Sequence, residues 1–156
     1  MRNLIQIPAN KTFEVLVALT QALEGGDALF VSGPEVNGVA PVEDVPDQVT
    51  DNTAVVIKSS GSTGRPKLIE LSADAMLASA TATEQTIGSG QWLLTLPVNY
   101  VAGLMVLVRS IKADQQPVLM NTQVPFTPEA FVRGASLMEE GQRFVSLVPT
   151  QLARLA

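Results

Sequence analysis

The chain alternates short, uniformly apolar runs with longer segments in which apolar residues recur every three or four positions. The runs have the length of buried strands and occupy 28–31, 54–58, 91–96, 117–120 and 144–148. The periodic segments predict helices over 13–24, 72–86, 101–112 and 128–140, with a last helix opening at 149. Strands that are apolar on both faces and alternate with helices predict an α/β fold, a mostly parallel sheet with helices packed on it.

Local signals refine these elements. Thr12, Ser72 and Thr127 stand where N-cap residues are expected, and Gly103, early in its helix, predicts close backbone packing. Residues 68–71 alternate like a further strand, while 1–11 are expected to form an extended lead-in. The segment 33–51 is rich in proline and carboxylates. It lacks a fixed ligand spacing, so we interpret it as a solvated loop rather than a metal site.

Composition narrows the classes of function. The chain has 156 residues and a net charge of −5, with no cysteine and no histidine. The length suits one domain with a real core, and scattered basic residues argue against nucleic-acid binding. No run approaches the roughly 18 apolar residues of a membrane span, and the first residues lack the apolar core of a signal peptide. We therefore expect a cytoplasmic protein.

A stretch of small and hydroxylated residues follows the strand at 54–58, and its chemistry suits a polyphosphate. It comprises Ser59, Ser60, Gly61, Ser62, Thr63, Gly64, Arg65, Pro66 and Lys67. Glycine-rich turns can converge backbone N–H groups into an anion-binding nest, and a lysine adds a mobile positive charge. The spacing fits neither the Walker A loop, because Pro66 and Leu68 stand at required positions, nor the dinucleotide fingerprint.

Two other interpretations of this stretch compete with phosphate binding. One is a flexible serine–glycine linker, which a preceding β-branched strand and a closing Pro-Lys disfavour. The other is a hydrolase loop. Without histidine a Ser-His-Asp arrangement is impossible, but a Ser/Lys amidohydrolase remains open, with Ser60 or Ser62 as nucleophile and Lys58 or Lys67 as base.

The segment from Val56 to Lys67 resembles, at every position, the phosphate-loop signature of the adenylate-forming superfamily, which includes the acyl-CoA synthetases. The likeness continues through 66–72, 96–103 and 146–152. At 96–103 the family pattern is Pro-x-x-His-x-x-Gly, and Tyr100 occupies the usual histidine position. Ala73 likewise replaces a usual histidine. The early position of the loop and the run 96–110 resemble most the o-succinylbenzoate–CoA ligases of menaquinone biosynthesis, in their short actinobacterial form.

The resemblance implies an acid–CoA ligase that uses ATP, Mg²⁺ and CoA and forms an acyl-adenylate from a small carboxylate. It implies that Ser59, Ser60, Gly61, Ser62, Thr63, Gly64 and Lys67 bind the nucleotide phosphates. It implies no catalytic residue here beyond Tyr100, whose hydroxyl can still donate a hydrogen bond. Because later family segments are missing, residues 1–156 are expected to be a partial N-terminal AMP-binding domain without the C-terminal domain. Alone it is expected to be inactive, a non-catalytic nucleotide-binding piece whose bared apolar surface favours homo-oligomers.

Overall fold

The computed structural model describes residues 1–59 and 64–156. The strands are β1 (Arg2–Pro8), β2 (Ala28–Ser32), β3 (Gln48–Val49), β4 (Val55–Ser59), β5 (Lys67–Leu71), β6 (Gln91–Leu94), β7 (Val118–Leu119) and β8 (Arg143–Val145). The helices are α1 (Thr12–Leu23), α2 (Ala73–Ile87), α3 (Val101–Lys112), α4 (Pro128–Ser136) and α5 (Pro149–Leu155). The prediction of an α/β fold with alternating strands and helices is confirmed.

The strands form two sheets. The first has the order β3-β1-β2-β4-β5, in which β1, β2 and β4 run parallel, while β3 and β5 lie antiparallel at the edges. The second has the order β7-β6-β8, and both neighbours of β6 run parallel to it. Parallel pairing therefore dominates, as predicted, but the single sheet of the prediction is divided into two.

One apolar core joins the two sheets through helices. It contains side chains of α1 and α3 together with Val31, Ile57 and Leu94, so it touches strands of both sheets. A smaller cluster around Phe30 and Val56 buries the opposite face of the first sheet. The segment 33–51 contributes Val45 and Val49 to that cluster. This loop therefore covers one face of the sheet rather than being wholly solvated.

The structure corrects several predicted boundaries. The extended lead-in is a true strand, β1, because Leu4 to Pro8 pair with β2. Thr12 is the first residue of α1 rather than its N-cap. Lys11 occupies the N-cap position without a side-chain capping bond, and the Thr12 hydroxyl donates to the Ala9 carbonyl at 3.1 Å. Helix α4 ends at Ser136, short of the predicted 140, because the amides of Leu137 and Met138 donate to carbonyls only three residues back. Ser72 and Thr127 are N-caps, as predicted.

Candidate functional site

The predicted phosphate loop connects β4 to β5, which form an antiparallel hairpin. The strands pair in register from Val55 with Leu71 to Ser59 with Lys67. At the last pair, the Lys67 amide donates to the Ser59 hydroxyl oxygen at 3.4 Å. Ser60, Gly61, Ser62 and Thr63 lie outside the described residues. The described part therefore places Ser59 and Lys67 face to face, where the loop leaves and rejoins the sheet.

The described end of this loop is open to solvent. Gly64 has φ of +78°, and a β-carbon built there would meet nothing within 4 Å. This left-handed backbone strains other residues but costs glycine little. Gly64, Arg65 and Lys67 are all exposed. This exposure leaves the cationic groups of Arg65 and Lys67 accessible to an anion, whereas the Lys67 amide already donates to the Ser59 hydroxyl.

Lys58 has a different role from Lys67. Its ammonium lies against the carboxylate of Glu43, whose side chain is only 8% exposed, so the pair fastens the 33–51 loop to β4. The contact occupies the amino group of Lys58 with a partner inside the fold. This contact argues against Lys58 as the base of a Ser/Lys amidohydrolase. It also shows that one of the acidic residues in the loop is used structurally.

A second feature, which sequence patterns did not reveal, is a cavity of about 780 Å³ outside the carboxyl ends of β6 and β7. Chain order runs from β6 to β7 on one side and then to β8 on the other. Ligands of open parallel sheets bind at such a switch in strand order. The lining comes from the segments that follow these strands, from α3 and α4, and from α5: residues 95–97, 100, 102–103, 118–122, 124–126, 130, 133–134, 137, 148, 150–151 and 154.

Tyr100 stands at this cavity, immediately before α3. It is the N-cap residue of that helix, lines the cavity and is 51% exposed. The residue lies in the turn between β6 and α3 rather than at the end of the strand. Its phenol is free to meet a molecule entering the cavity.

The turn that carries Tyr100 is fixed by Gly103. A β-carbon on Gly103 would lie 2.1 Å from the Pro97 carbonyl oxygen and 2.8 Å from that of Leu96. Only glycine allows the first turn of α3 to approach the chain leaving β6 so closely. The predicted close packing at this position is therefore present, and it sets where Tyr100 lies.

The opposite wall of the cavity is anchored by Gln151. Its amide nitrogen donates to the Thr95 carbonyl at 3.0 Å, and its amide oxygen accepts from the Val148 amide at 3.2 Å. The Thr95 hydroxyl in turn donates to the Ser146 carbonyl at 2.9 Å. These bonds tie the start of α5 to the end of β6. Gln151 lies in the stretch 146–152 that resembles the family, but the sequence alone does not indicate these hydrogen bonds.

Arg109 lies away from this cavity. Its guanidinium carbon is 5.0 Å from the centre of the Trp92 ring, a cation–π arrangement. Burial lowers the pKa of Arg109 from its ordinary value because it disfavours the charged form. The residue therefore contributes to packing between α3 and β6.

Two searches of residues 1–59 and 64–156 were negative. They contain no helix long and apolar enough to cross a membrane. They also contain no group of three or more carboxylates placed to hold a metal ion.

Two sheets with helices between them, a hairpin connected by a hydroxyl-rich stretch and a cavity at the carboxyl ends of parallel strands define the chain as an α/β domain. The chain belongs to the AMP-binding enzyme family, whose profile it matches over residues 5–156. The predicted resemblance to adenylate-forming enzymes is thereby confirmed.

Among curated proteins, the chain is 36% identical over 153 residues to the probable 2-succinylbenzoate–CoA ligase of Mycobacterium tuberculosis, covering 96% of this chain and 40% of that protein. It is 29% identical over 119 residues to the 2-succinylbenzoate–CoA ligase of Bacillus licheniformis, covering 74% of this chain and 24% of that protein. The chain thus spans less than half the length of these relatives.

Solved structures share the fold. The o-succinylbenzoate CoA synthetase of Bacillus subtilis in complex with ATP and magnesium ion is 19% identical, with a TM-score of 0.64 over 99% of this chain and 53% of that one. The R195K enzyme from E. coli with bound OSB-AMS is 22% identical, with a TM-score of 0.61 over 99% of this chain and 40% of that one. The fold is that of the N-terminal domain of adenylate-forming enzymes.

Proposed function

We propose that this chain is a partial N-terminal domain of an ATP-dependent 2-succinylbenzoate–CoA ligase of menaquinone biosynthesis. The observation that carries the proposal is the complete match of Val56–Lys67 to the family's phosphate loop, which connects the two strands of the β4–β5 hairpin. The curated relatives with this activity, one of them 36% identical over 153 residues, support the choice of acid.

In the proposed reaction, a carboxylate oxygen of the acid attacks the α-phosphorus of ATP. The bond from that phosphorus to pyrophosphate breaks, giving the acyl-adenylate. The sulfur of CoA then attacks the acyl carbon, the thiol proton is lost, and AMP leaves with the electron pair of the broken bond between the acyl carbon and the phosphate oxygen of the mixed anhydride. Charge grows on the departing pyrophosphate, so a preorganised set of N–H donors and a cation lowers the barrier to the first step.

We assign that role to Ser59, Ser60, Gly61, Ser62, Thr63, Gly64 and Lys67. The exposed Gly64 and Lys67 offer an amide donor and an ammonium at the described end of the loop. Mg²⁺ would arrive with ATP as part of the substrate, because this ion is commonly bound through substrate phosphates.

The cavity beyond β6 and β7 is our candidate for the acid site. Its apolar lining and volume of about 780 Å³ suit a small aromatic acid. Tyr100 at the start of α3 would donate a hydrogen bond near the reacting carboxyl group. This assignment gives the tyrosine a place in orienting the acid, without a proton-transfer step.

The remaining groups of the reaction are proposed to belong to the part of the relatives that this chain does not span. The chain alone is expected to bind nucleotide without catalysing exchange.

ATP and CoA are cytoplasmic metabolites, so we propose a cytoplasmic location for the enzyme. Leu68 and Ile69, 41% and 39% exposed on the edge strand β5, favour association with further chain or with a second copy.

The test is ATP–pyrophosphate exchange with 2-succinylbenzoate, measured on the protein encoded by the full reading frame. We expect exchange that depends on this acid. Lys67→Ala should lower its rate about tenfold or more, because a charge-assisted contact to the leaving group is lost. Lys112→Ala, which changes a lysine at the carboxyl end of α3, should leave the rate unchanged. Wild-type rates that do not depend on the acid would refute the proposal.

A further inference from the structure

Asn37 and Gly38 form the turn of a small hairpin in the 33–51 loop. The Val36 amide donates to the Val39 carbonyl at 2.9 Å, and the Val39 amide donates to the Val36 carbonyl at 3.0 Å. Both turn residues have a positive φ, +52° at Asn37 and +77° at Gly38. This is the two-residue turn with a left-handed backbone at both positions, for which Asn-Gly is a preferred pair.

The same pair places a nucleophile beside an electrophile. The backbone nitrogen that follows an asparagine can attack the side-chain carbonyl carbon and close a five-membered ring. Gly38 leaves this nitrogen uncrowded, because it has no side chain and a β-carbon built there would meet nothing within 4 Å. The Gly38 amide also makes no backbone hydrogen bond to any described residue. Its nitrogen is therefore open for the attack.

The hairpin can open without disturbing the core. Asn37 and Gly38 are exposed, and the flanking side chains of Val36 and Val39 are 69% and 67% exposed. Segments with few buried contacts open locally at a low cost in free energy. The rotation of the Asn37 backbone that ring closure needs is therefore inexpensive.

The other five asparagines of the chain are each followed by a residue with a side chain: Asn3, Asn10, Asn52, Asn99 and Asn121. The side-chain oxygens of Asn3, Asn10 and Asn121 accept hydrogen bonds that hold these side chains in place. The side-chain oxygen of Asn99 is buried. Asn52 is exposed, but the β-branched side chain of Thr53 crowds the nitrogen that would attack. Asn37 alone combines exposure with a following glycine.

We propose that Asn37 is a site of spontaneous modification, which deamidates through a succinimide. The Gly38 nitrogen bonds to the side-chain carbonyl carbon of Asn37, the bond from that carbon to the side-chain nitrogen breaks, and this nitrogen leaves as ammonia with the proton of the Gly38 amide. Water then opens the ring at either carbonyl carbon and gives aspartate or isoaspartate. The step needs only water, and the inference goes beyond the proposed ligase function and does not depend on it.

The two products affect the loop differently. Aspartate keeps the backbone path, whereas isoaspartate carries the chain through its β-carbon and adds one atom to the turn. The longer turn cannot keep both bonds between Val36 and Val39. On one side of the hairpin, the Glu35 amide donates to the Asn10 side-chain oxygen at 2.9 Å. We therefore expect isoaspartate to open the hairpin while the loop stays attached at Glu35.

The test is mass spectrometry of this chain after incubation in warm, mildly alkaline buffer. We expect the peptide that contains Asn37 to gain the mass of NH replaced by O. Its rate should be about tenfold or more above that of any other asparagine, which corresponds to a barrier lower by about 1.4 kcal/mol. Labelling by an isoaspartyl methyltransferase should detect isoaspartate in this peptide. The labelled fraction should show faster hydrogen exchange at Val36 and Val39, with Glu35 unchanged.

Three variants separate ring closure from a general effect on the loop. Asn37→Gln keeps an amide but would need a larger ring, so the mass gain should disappear. Gly38→Ala puts a methyl group beside the attacking nitrogen and should slow the gain about tenfold, a barrier about 1.4 kcal/mol higher. Gly33→Ala changes another glycine of the same loop, where a β-carbon would meet only Pro41 at 3.8 Å, and should leave the rate unchanged.

Equal rates at Asn37 and Asn52, aspartate as the only product, or an unchanged rate in Gly38→Ala would overturn the inference. Unchanged hydrogen exchange at Val36 and Val39 in the isoaspartate form would refute the opening of the hairpin. None of these results affects the exchange assay of the proposed ligase, so the two proposals stand or fall separately.

Discussion

Replacing Gly103 by alanine tests the closest backbone approach beside the cavity. A β-carbon at this position would stand 2.1 Å from the Pro97 carbonyl oxygen, 2.7 Å from its carbonyl carbon and 2.8 Å from the Leu96 oxygen. All three are backbone atoms and cannot rotate away. Because a β-carbon rarely comes within 3.0 Å of another heavy atom, α3 and the segment leaving β6 must separate by nearly an ångström.

Two effects of opposite sign determine how much Gly103→Ala changes the free energy of unfolding. Alanine favours the helix over glycine by about 1 kcal/mol. Forcing a methyl group into a filled site costs up to about 3 kcal/mol, and contact with three backbone atoms places this site at the upper end. We therefore expect Gly103→Ala to lower the free energy of unfolding by about 2 kcal/mol, which corresponds to a fall in Tm of about 4–8 °C for a chain of this size.

Urea unfolding followed by the fluorescence of Trp92 measures the change, and two glycines serve as controls. At Gly134 a β-carbon would meet side-chain atoms of Met120 and Leu93 at 3.0–3.2 Å, which can move aside. At Gly33 it would meet only Pro41, at 3.8 Å. Gly33→Ala should therefore change stability by less than about 0.5 kcal/mol. At Gly134, in helix α4, the helix preference for alanine of about 1 kcal/mol offsets the cost of moving those side chains, so Gly134→Ala should stay within about 1 kcal/mol of the wild type. If Gly103→Ala were as stable as these controls, the close approach and the placement of Tyr100 would be wrong.

Three further substitutions test other contacts of the fold by the same urea assay. Gln151→Leu should cost about 1–3 kcal/mol, because the Thr95 carbonyl and the Val148 amide lose their partner; faster hydrogen exchange at Val148 would locate the effect. Thr127→Ala should cost about 1 kcal/mol through loss of the cap of α4, and an unchanged midpoint would contradict that role. Lys58→Met should lower the free energy of unfolding by about 1–2 kcal/mol, because it leaves the Glu43 carboxylate unpaired. Adding Glu43→Gln to this variant should restore part of that stability. If the double variant is no more stable than Lys58→Met, the ion pair does not stabilise the fold.

Much of the fold followed from the sequence because periodicity and capping are local signals. Helix α3 begins and ends at the predicted residues, and Ser72 and Thr127 cap their helices as their positions indicate. Strand β1 was missed because polar Asn3 and Gln6 interrupt its apolar pattern, and its pairing with β2 spans residues distant in sequence. The division into two sheets could not be predicted for the same reason, since the pairing of strands depends on residues that are distant in sequence.

Part of the candidate site could likewise be predicted from the sequence, and part could not. The hairpin loop could be predicted because its chemistry lies in one contiguous stretch, from Ser59 to Lys67. The cavity could not, because its walls come from segments between Thr95 and Arg154 that meet only after folding. Gln151 is an example, because its role follows from hydrogen bonds to Thr95 and Val148 that form only in the folded chain.

The most direct measurement of the central claim is an NMR titration of this chain, labelled with ¹⁵N, with Mg-ATP and with adenosine. If the β4–β5 hairpin binds the polyphosphate, the amides of Gly64, Arg65 and Lys67 shift with ATP and stay in place with adenosine, and Lys67→Ala weakens ATP binding about tenfold. Hairpin amides that respond to neither ligand, or equally to both, would contradict the claim that this loop exists to hold the phosphates.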